Sequence, residues 1–256
     1  MEKSKLKGMV FAALFAAFTA AVAWFKIPLP FTPVPITLQT LAVLLSGAML
    51  GSVYGALSMI IYLAVGTLGL PVFAGGSSGI GALLGPTGGY LFSYPLASFV
   101  IGKMLEKKKL SNFLKYFSFA VIIVFVVIVL FDALFKVGIM KLWDKASNSY
   151  ISMISLISQQ QRIILIAISV VVLVSLLLLI FYLKKSKTFS IDTILAMFAG
   201  TLVIYILGSI QGKFVTGLPW NAIFVGWVLP FIIGDTLKLL LAAYMAKNID
   251  IRAYMK

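Results

Sequence analysis

Apolar residues run along this chain in long blocks, separated by short stretches rich in Lys, Pro or Gly. The blocks predict membrane-spanning helices at roughly 9–25, 36–50, 53–70, 81–102, 117–135, 163–183, 191–211 and 221–246. A helix needs about 20 apolar residues to cross the hydrocarbon, with roughly 17 as the lower limit. The block at 36–50 is short by that measure, so the expectation is eight spans, or seven if that block does not cross.

Composition supports a membrane setting. Of 256 residues, 62% are apolar and 11% charged, against about 45–50% and 25% in soluble domains. The expected fold class is an all-α polytopic membrane protein, with 1–256 forming a single membrane domain. Two absences narrow the chemistry. Without Cys there is no disulfide, thiolate nucleophile or cysteine metal site, and without His no Ser-His-Asp triad or imidazole ligation. The acids, Glu2, Glu106, Asp132, Asp144, Asp192, Asp235 and Asp250, are too few and too scattered for a carboxylate metal cage. No metal or cofactor is expected, and an enzyme is not.

The formal charge of +14 raises nucleic acid as a partner, but its distribution argues for a lipid bilayer instead. On an eight-span chain with both ends on one side, Lys26, Lys136, Lys141, Lys145, Arg162 and Lys213 fall on the far side and Lys238 within a span. All other basic residues fall with the termini, and that bias assigns both termini to the cytoplasm. A nucleic-acid site would gather its charge on one compact surface. The first span could also be read as a signal peptide ending in Ala21-Val22-Ala23. Retaining it keeps the span number even and the basic loops on one side.

Three places break the plain helical pattern. In Ile27-Pro28-Leu29-Pro30-Phe31-Thr32-Pro33-Val34-Pro35, alternating prolines predict a stiff, extended outer connection. It leads into Thr37, Gln39 and Thr40, which either satisfy a helix N-terminus or line a cavity. The second break, Pro71 to Tyr90, holds a run of glycines from Gly75 to Gly89 that a simple span would not accumulate. Irregular backbone near membrane depth survives only when buried in protein or lining a cavity, so a ligand-binding loop is expected there. The third break is Gly234-Asp235-Thr236-Leu237-Lys238 in the last span. Asp235 and Lys238 lie three apart on one helical face, and intramembrane charges of this kind point to function. Pro230 would start or kink that helix.

Catalytic motifs fit poorly. Gly75-Gly76-Ser77-Ser78-Gly79 matches G-x-S-x-G in letters but lacks a strand before it and a His elsewhere. A Ser77–Lys238 dyad is the rival enzymatic reading. Gly208 to Phe214 has the wrong spacing for a P-loop, so no ATP site is visible. In the first span Ala12, Ala16 and Ala20 recur at i, i+4 and i+8, with Ala13, Ala17 and Ala21 one position on. Such seams let another helix approach closely, either within the chain or from a partner.

Together, Pro28 to Thr40, Gly69-Leu70-Pro71-Val72-Phe73-Ala74-Gly75-Gly76, Gly85-Pro86-Thr87-Gly88-Gly89-Tyr90 and Gly234-Asp235-x-x-Lys238 resemble BioY, the biotin-binding S component of energy-coupling factor (ECF) transporters. The likeness covers about 9–110 and 190–246. It implies a six-helix S-component core that captures and translocates biotin, energised by an EcfT transmembrane protein with EcfA ATPases. By resemblance Asp235 would accept from the ureido N–H groups and Lys238 would donate to the ring or neutralise Asp235. Gly76, Ser77 and Tyr90 would contact the ligand, Gln39 and Thr37 would line the site, and Ala12, Ala16 and Ala20 would dock EcfT. Residues 111–188 depart from the family pattern as an insertion of two extra transmembrane helices. Between them Tyr150, Ile151, Ile154 and Ile157 suggest a surface helix. The cation that would meet the biotin carboxylate is open among Lys26, Lys213 and Lys238. A transporter for another small polar solute, and an assembly protein built on the alanine seam, are the remaining alternatives.

Overall fold

A computed structural model of the chain describes residues 2–29, 32–106 and 190–255. Of the intervening stretch it describes 127, 130–131, 134–135, 141–144, 149–152, 159, 163, 166–167, 170 and 174. Two compact units result: Met1–Leu110 with Thr188–Lys256, and Ser111–Lys187. In the first, α1 (Glu2–Ala23) leads into a hairpin of β1 (Lys26–Leu29) and β2 (Thr32–Thr37), then α2 (Gln39–Thr67). A 3-10 turn (Ala74–Gly76), α3 (Ile80–Leu84) and α4 (Gly88–Glu106) follow. The unit resumes with α5 (Ile191–Thr216), α6 (Trp220–Trp227), α7 (Leu229–Asn248) and α8 (Ile251–Met255).

Although its residues run on without a loop, α2 is two antiparallel helices. Gly51 inside it has φ 83° and ψ −175°, a combination that essentially only glycine adopts. Across the bend, a Cβ on Gly55 would lie 2.8 Å from the Ser46 carbonyl oxygen, and Gln39 Nε2 donates to the Tyr62 hydroxyl. In a straight helix residues 39 and 62 would stand about 35 Å apart. The two arms, 39–50 and 52–67, therefore answer to the separate spans expected at 36–50 and 53–70. α4 lies in the groove of this helical hairpin. Small residues permit the approach: Cβ atoms at Gly47 and Gly102 would run into the Ser98 carbonyl and the Gly51–Ser52 backbone. Ser46 and Ser98 hydroxyls meet across it at 2.9 Å.

α1 packs on α2, α4 on α5, and α7 closes against α2 and α5. Among the described residues of this unit, six helical legs result: α1, the two arms of α2, α4, α5 and α7. α1, α2 and α5 contain stretches apolar and long enough to cross a membrane. The chain is an all-α polytopic membrane protein. One end of the unit gathers the Gly51 bend, where Glu106 accepts from the Ser52 N–H at 2.7 Å. There Arg252 also donates to the Ala48 carbonyl at 3.0 Å, and the Ser4 hydroxyl to the Met255 carbonyl at 2.9 Å. The opposite end gathers the β-hairpin, the glycine-rich loop and the α5–α6 junction.

Several expectations are corrected here. The stretch 81–102 is not one helix: α3 ends at Leu84, and Gly85-Pro86-Thr87 separates it from α4. The stretch 221–246 breaks at Val228 into α6 and α7, and Pro230 stands in the first turn of α7, the helix start expected of it, where its missing N–H costs nothing. The proline-rich connection is extended as expected but also paired. Its partners Lys26–Thr37, Ile27–Ile36 and Leu29–Thr32 all avoid proline, which has no ladder donor. In the second unit, β3 (Lys141–Asp144) pairs with β4 (Ser149–Ser152) through Leu142–Ile151 and Trp143–Tyr150. Tyr150 and Ile151 thus belong to a strand rather than a surface helix, as aromatic and β-branched cross-strand pairs favour. Ile154, Ile157 and most of the spans at 117–135 and 163–183 lie outside the described residues.

The bend sets a stability test. Gly51→Ala forces an L-residue into positive φ and sets its Cβ 2.8 Å from Glu106 Oε1. It should cost about 1–3 kcal/mol, read as a lower thermal midpoint in detergent. Gly81→Ala, in α3 with nothing within 4 Å, should change stability by less than about 0.5 kcal/mol.

Candidate functional site

At the loop end of the first unit, a cavity opens between α2, α4, α5, α7, β2 and the glycine-rich loop. Its polar floor lies on α7, where Asp235 and Lys238 are 6% and 9% exposed. Their spacing puts them on one face, and Lys238 Nζ donates to Asp235 Oδ1 at 2.8 Å. Two further helices complete the group. The Thr40 hydroxyl, on α2, donates to the same Oδ1 at 3.1 Å and accepts from Lys238 Nζ at 3.2 Å. The Tyr205 hydroxyl, on α5, donates to Oδ2 at 2.7 Å. A carboxylate has about four acceptor positions and an ammonium three donors. One position on Oδ2 and one Lys238 N–H are therefore unfilled by the described residues, and both belong to groups lining the cavity.

A second polar chain forms the wall beneath the loop. The Thr37 hydroxyl donates to Gln39 Oε1 at 3.0 Å. The Tyr62 hydroxyl accepts from Gln39 Nε2 and donates to the Val72 carbonyl at 3.0 Å. The start of the glycine-rich loop is thus tied to the α2 hairpin. Its far end is tied to α5, where Gln211 Nε2 donates to the carbonyls of Leu83 and Gly85 at 2.6 and 2.8 Å. Apolar and aromatic walls come from Val34, Phe73, Leu91, Tyr94, Ile204 and Phe231. A neutral-headed, partly apolar small molecule suits such a site: polar groups at one end fix orientation, and the walls exclude water.

Of the residues expected from sequence, Asp235, Lys238, Ser77, Tyr90, Gln39 and Thr37 all line this one cavity. Tyr90 does so with its hydroxyl engaged, donating to the Trp227 carbonyl at 2.6 Å. Gly76 does not line it. At φ +79° it turns toward Trp24, whose indole lies 3.4 Å from where its Cβ would be, while Ala74 and Ser77 face the cavity. The Ser77 hydroxyl donates to the Ala74 carbonyl at 3.2 Å and Lys238 to Asp235 and Thr40, so no Ser77–Lys238 dyad is formed. Tyr205, Tyr62 and Tyr94 were not singled out from the sequence. Tyr205 lies in an otherwise apolar span, and only the fold brings it to Asp235. Thr40 carried a usable signal, three positions from Thr37 in an unusually polar first turn.

The alanine seam also needs correction. Ala12 and Ala16 are 0% and 5% exposed and Ala20 is half-buried, because this series faces inward where α1 packs on α2. Gly8 continues the stripe under the Tyr54 ring. The alanines left on the outer face are Ala13, Ala17 and Ala21.

Comparison with known proteins bears on the whole chain. The family model described as "BioY family" matches residues 1–180 and 168–254. A "Biotin transporter BioY" of Thermotoga maritima is 46% identical over 104 residues, 41% of this chain and 60% of that protein, so that match spans less than two thirds of its length. The "Biotin transporter BioY" of Lactococcus lactis is 32% identical over 158 residues, 61% of this chain and 81% of that one. A "Probable biotin transporter BioY" of Lysinibacillus sphaericus is 36% identical over 160 residues, 62% and 80%. Among solved structures, the S-component for biotin from an ECF-type ABC transporter superposes with a TM-score of 0.59 at 21% identity, covering 100% of this chain and 99% of that one. This likeness establishes a shared fold.

The paired charges make a prediction independent of any ligand. Lys238→Met strands a buried carboxylate and should destabilise by about 3–5 kcal/mol. Asp235→Asn combined with Lys238→Met should recover most of that loss, measured as thermal unfolding of the two variants beside the parent.

Proposed function

This chain belongs to the BioY family, and from that we propose that it is the membrane subunit that captures and translocates biotin. The observation that carries the reading is the Asp235–Lys238–Thr40–Tyr205 group at the floor of a cavity with apolar walls. Biotin's fused head offers two ureido N–H donors and a carbonyl acceptor. The open position on Asp235 Oδ2 would take one N–H, and the unused Lys238 N–H would meet the carbonyl. The two N–H bonds of a cyclic urea point to opposite sides of its ring, so one carboxylate accepts only one of them. Gln39 Oε1, with one lone pair engaged by Thr37, is the acceptor we assign to the other. Ser77 and Tyr90 complete the contacts around the bicyclic head. The chemistry required is binding and release, so the subunit is read as a transporter component and not an enzyme.

Both termini are assigned to the cytoplasm. Lys3, Lys5, Lys7, Lys103, Lys247 and Arg252 flank the end that holds the Gly51 bend, whereas Lys26 and Lys213 flank the cavity end, and the positive-inside rule sets the orientation. The cavity then faces outward. Translocation would draw on a separate module of EcfT with EcfA ATPases, since the sequence carries no P-loop. Ala13, Ala17 and Ala21 are the exposed small residues of α1, and we place the EcfT contact there rather than on the buried series.

Equilibrium binding of biotin to the purified chain in detergent tests the reading. The parent should bind, and Asp235→Asn and Lys238→Ala should each weaken binding by at least tenfold, the scale of a lost charged hydrogen bond of about 1.5–3 kcal/mol. A folded parent that ignores biotin overturns the substrate; unaffected variants overturn the site alone. Separately, Ala17→Leu should abolish co-purification with an EcfT–EcfA module while biotin binding persists. Retained co-purification would remove that face from the docking surface.

A further inference from the structure

Resting on the reading of the ligand as biotin, we infer that Lys26 supplies the positive charge that receives the ligand's carboxylate and makes the pocket selective for an anionic tail. A site for biotin must handle a neutral polar head at one end and a carboxylate at the other. The Asp235–Lys238 pair suits the head. It is neutral as a unit, and the Lys238 charge is already matched by the Asp235 carboxylate at 2.8 Å. Two other cations of the first unit stand at this end, Lys26 and Lys213. The Lys213 ammonium is engaged, donating to the Leu218 carbonyl at 2.8 Å where α5 terminates. Lys26 has no hydrogen bond or ion pair among the described residues.

Two independent observations put the Lys26 stem against the elements that form the rim of the cavity, while Lys26 itself lines the adjoining hollow with Trp24, Phe25, Ile27, Ile36 and Leu38. First, Lys26 pairs across the β-hairpin with Thr37, and directly opposed residues project on the same face. Thr37 lines the cavity. Second, the Lys26 stem lies along the glycine-rich loop. A Cβ at Gly75 would stand 2.6 Å from Lys26 Cδ and 3.5 Å from Nζ, and Gly75 has φ +67°. Its sequence neighbours Ala74 and Ser77 line the cavity wall. Glycine at 75 thus serves two ends: it allows the left-handed backbone, and it leaves room for the lysine to cross the loop. A ligand with its head on Asp235 and its chain between the apolar walls would present its anionic tail at this rim. An ammonium on a flexible four-carbon stem can follow it there.

The experiment compares biotin with biotinamide, identical except for the neutral tail, on the parent chain and on Lys26→Gln, Lys26→Arg and Lys213→Gln. The parent should prefer biotin. Lys26→Gln should lower biotin affinity about twofold to fivefold, the scale of an exposed charge pair, and leave biotinamide affinity unchanged, so that the preference disappears. Lys26→Arg should keep it, and Lys213→Gln should not alter it. An equal fall for both ligands would mean that Lys26 only supports the loop, and no fall would mean that it plays no part; either overturns the inference while the biotin reading stands. Loss of the preference in Lys213→Gln instead would transfer the role to that residue. A parent that binds neither ligand overturns the functional reading itself and this inference with it.

Discussion

A carboxylate and an ammonium cannot stand separately inside a membrane-spanning helix bundle, and the arrangement of the cavity end follows from how Asp235 and Lys238 are kept together. Spacing on α7 gives them one face, but a bare ion pair away from water still leaves lone pairs and N–H groups unmet. Thr40 from α2 and Tyr205 from α5 meet part of that demand. Three helices distant in sequence are thereby drawn to one point. The demand is not fully met, and the residue of it, one acceptor position and one donor, is what a polar ligand can use. On the proposed function, the same physics that makes the pair costly to bury favours a ligand that completes it.

Irregular backbone is confined to the other side of the same cavity for a related reason. In hydrocarbon an unpaired N–H or C=O has no solvent partner, so breaks must be covered by protein. The loop from Leu68 to Thr87 is anchored at its start through Tyr62 on Val72 and at its end through Gln211 on Leu83 and Gly85. The break between α6 and α7 lies beside it, with the Trp227 carbonyl accepting from Tyr90. These anchors are side chains of α2, α4 and α5, so the loop is hung on the rigid bundle at both ends. Between the anchors, Gly75, Gly76 and Gly79 take positive φ, and the missing side chains at Gly75 and Gly76 make room for Lys26 and Trp24.

Much of this was legible in the sequence, and what was not has identifiable causes. Apolar block length located the helical legs, and even the short block at 36–50 stands as an arm of its own, because the chain turns back at Gly51. Asp235 and Lys238 could be read because charge is rare in such blocks, and the glycine run because it is expensive in helix. The breaks at 85–87 and 228 do not show in hydropathy, since Gly-Pro-Thr and Val-Leu-Pro interrupt the backbone without interrupting the apolar block; the glycine run and Pro230 are what mark them. The hairpin of β1 and β2 was missed because prolines signal extension but not a partner. Tyr205 was missed because a tyrosine in an apolar span has no local signature; its role comes from a contact thirty positions away with Asp235.

The alanine series of α1 show where sequence periodicity ends and packing begins. Residues at i and i+4 drift by about 40° around a helix, and adjacent positions differ by about 100°. Two parallel series of alanines therefore mark two neighbouring faces, and periodicity alone treats them alike. Packing separates them: the series at 12, 16 and 20, extended by Gly8, is used up by the approach of α2. The series at 13, 17 and 21 gains nothing from the fold, and on a lipid-facing surface larger apolar side chains such as Val10, Leu14 and Phe18, which flank it, would serve equally well. Close approach of a second helix is what small residues permit and large ones prevent. In the docking proposed above, the outer series is the face offered to another helix, set at about 100° from the face that holds α1 in its own bundle.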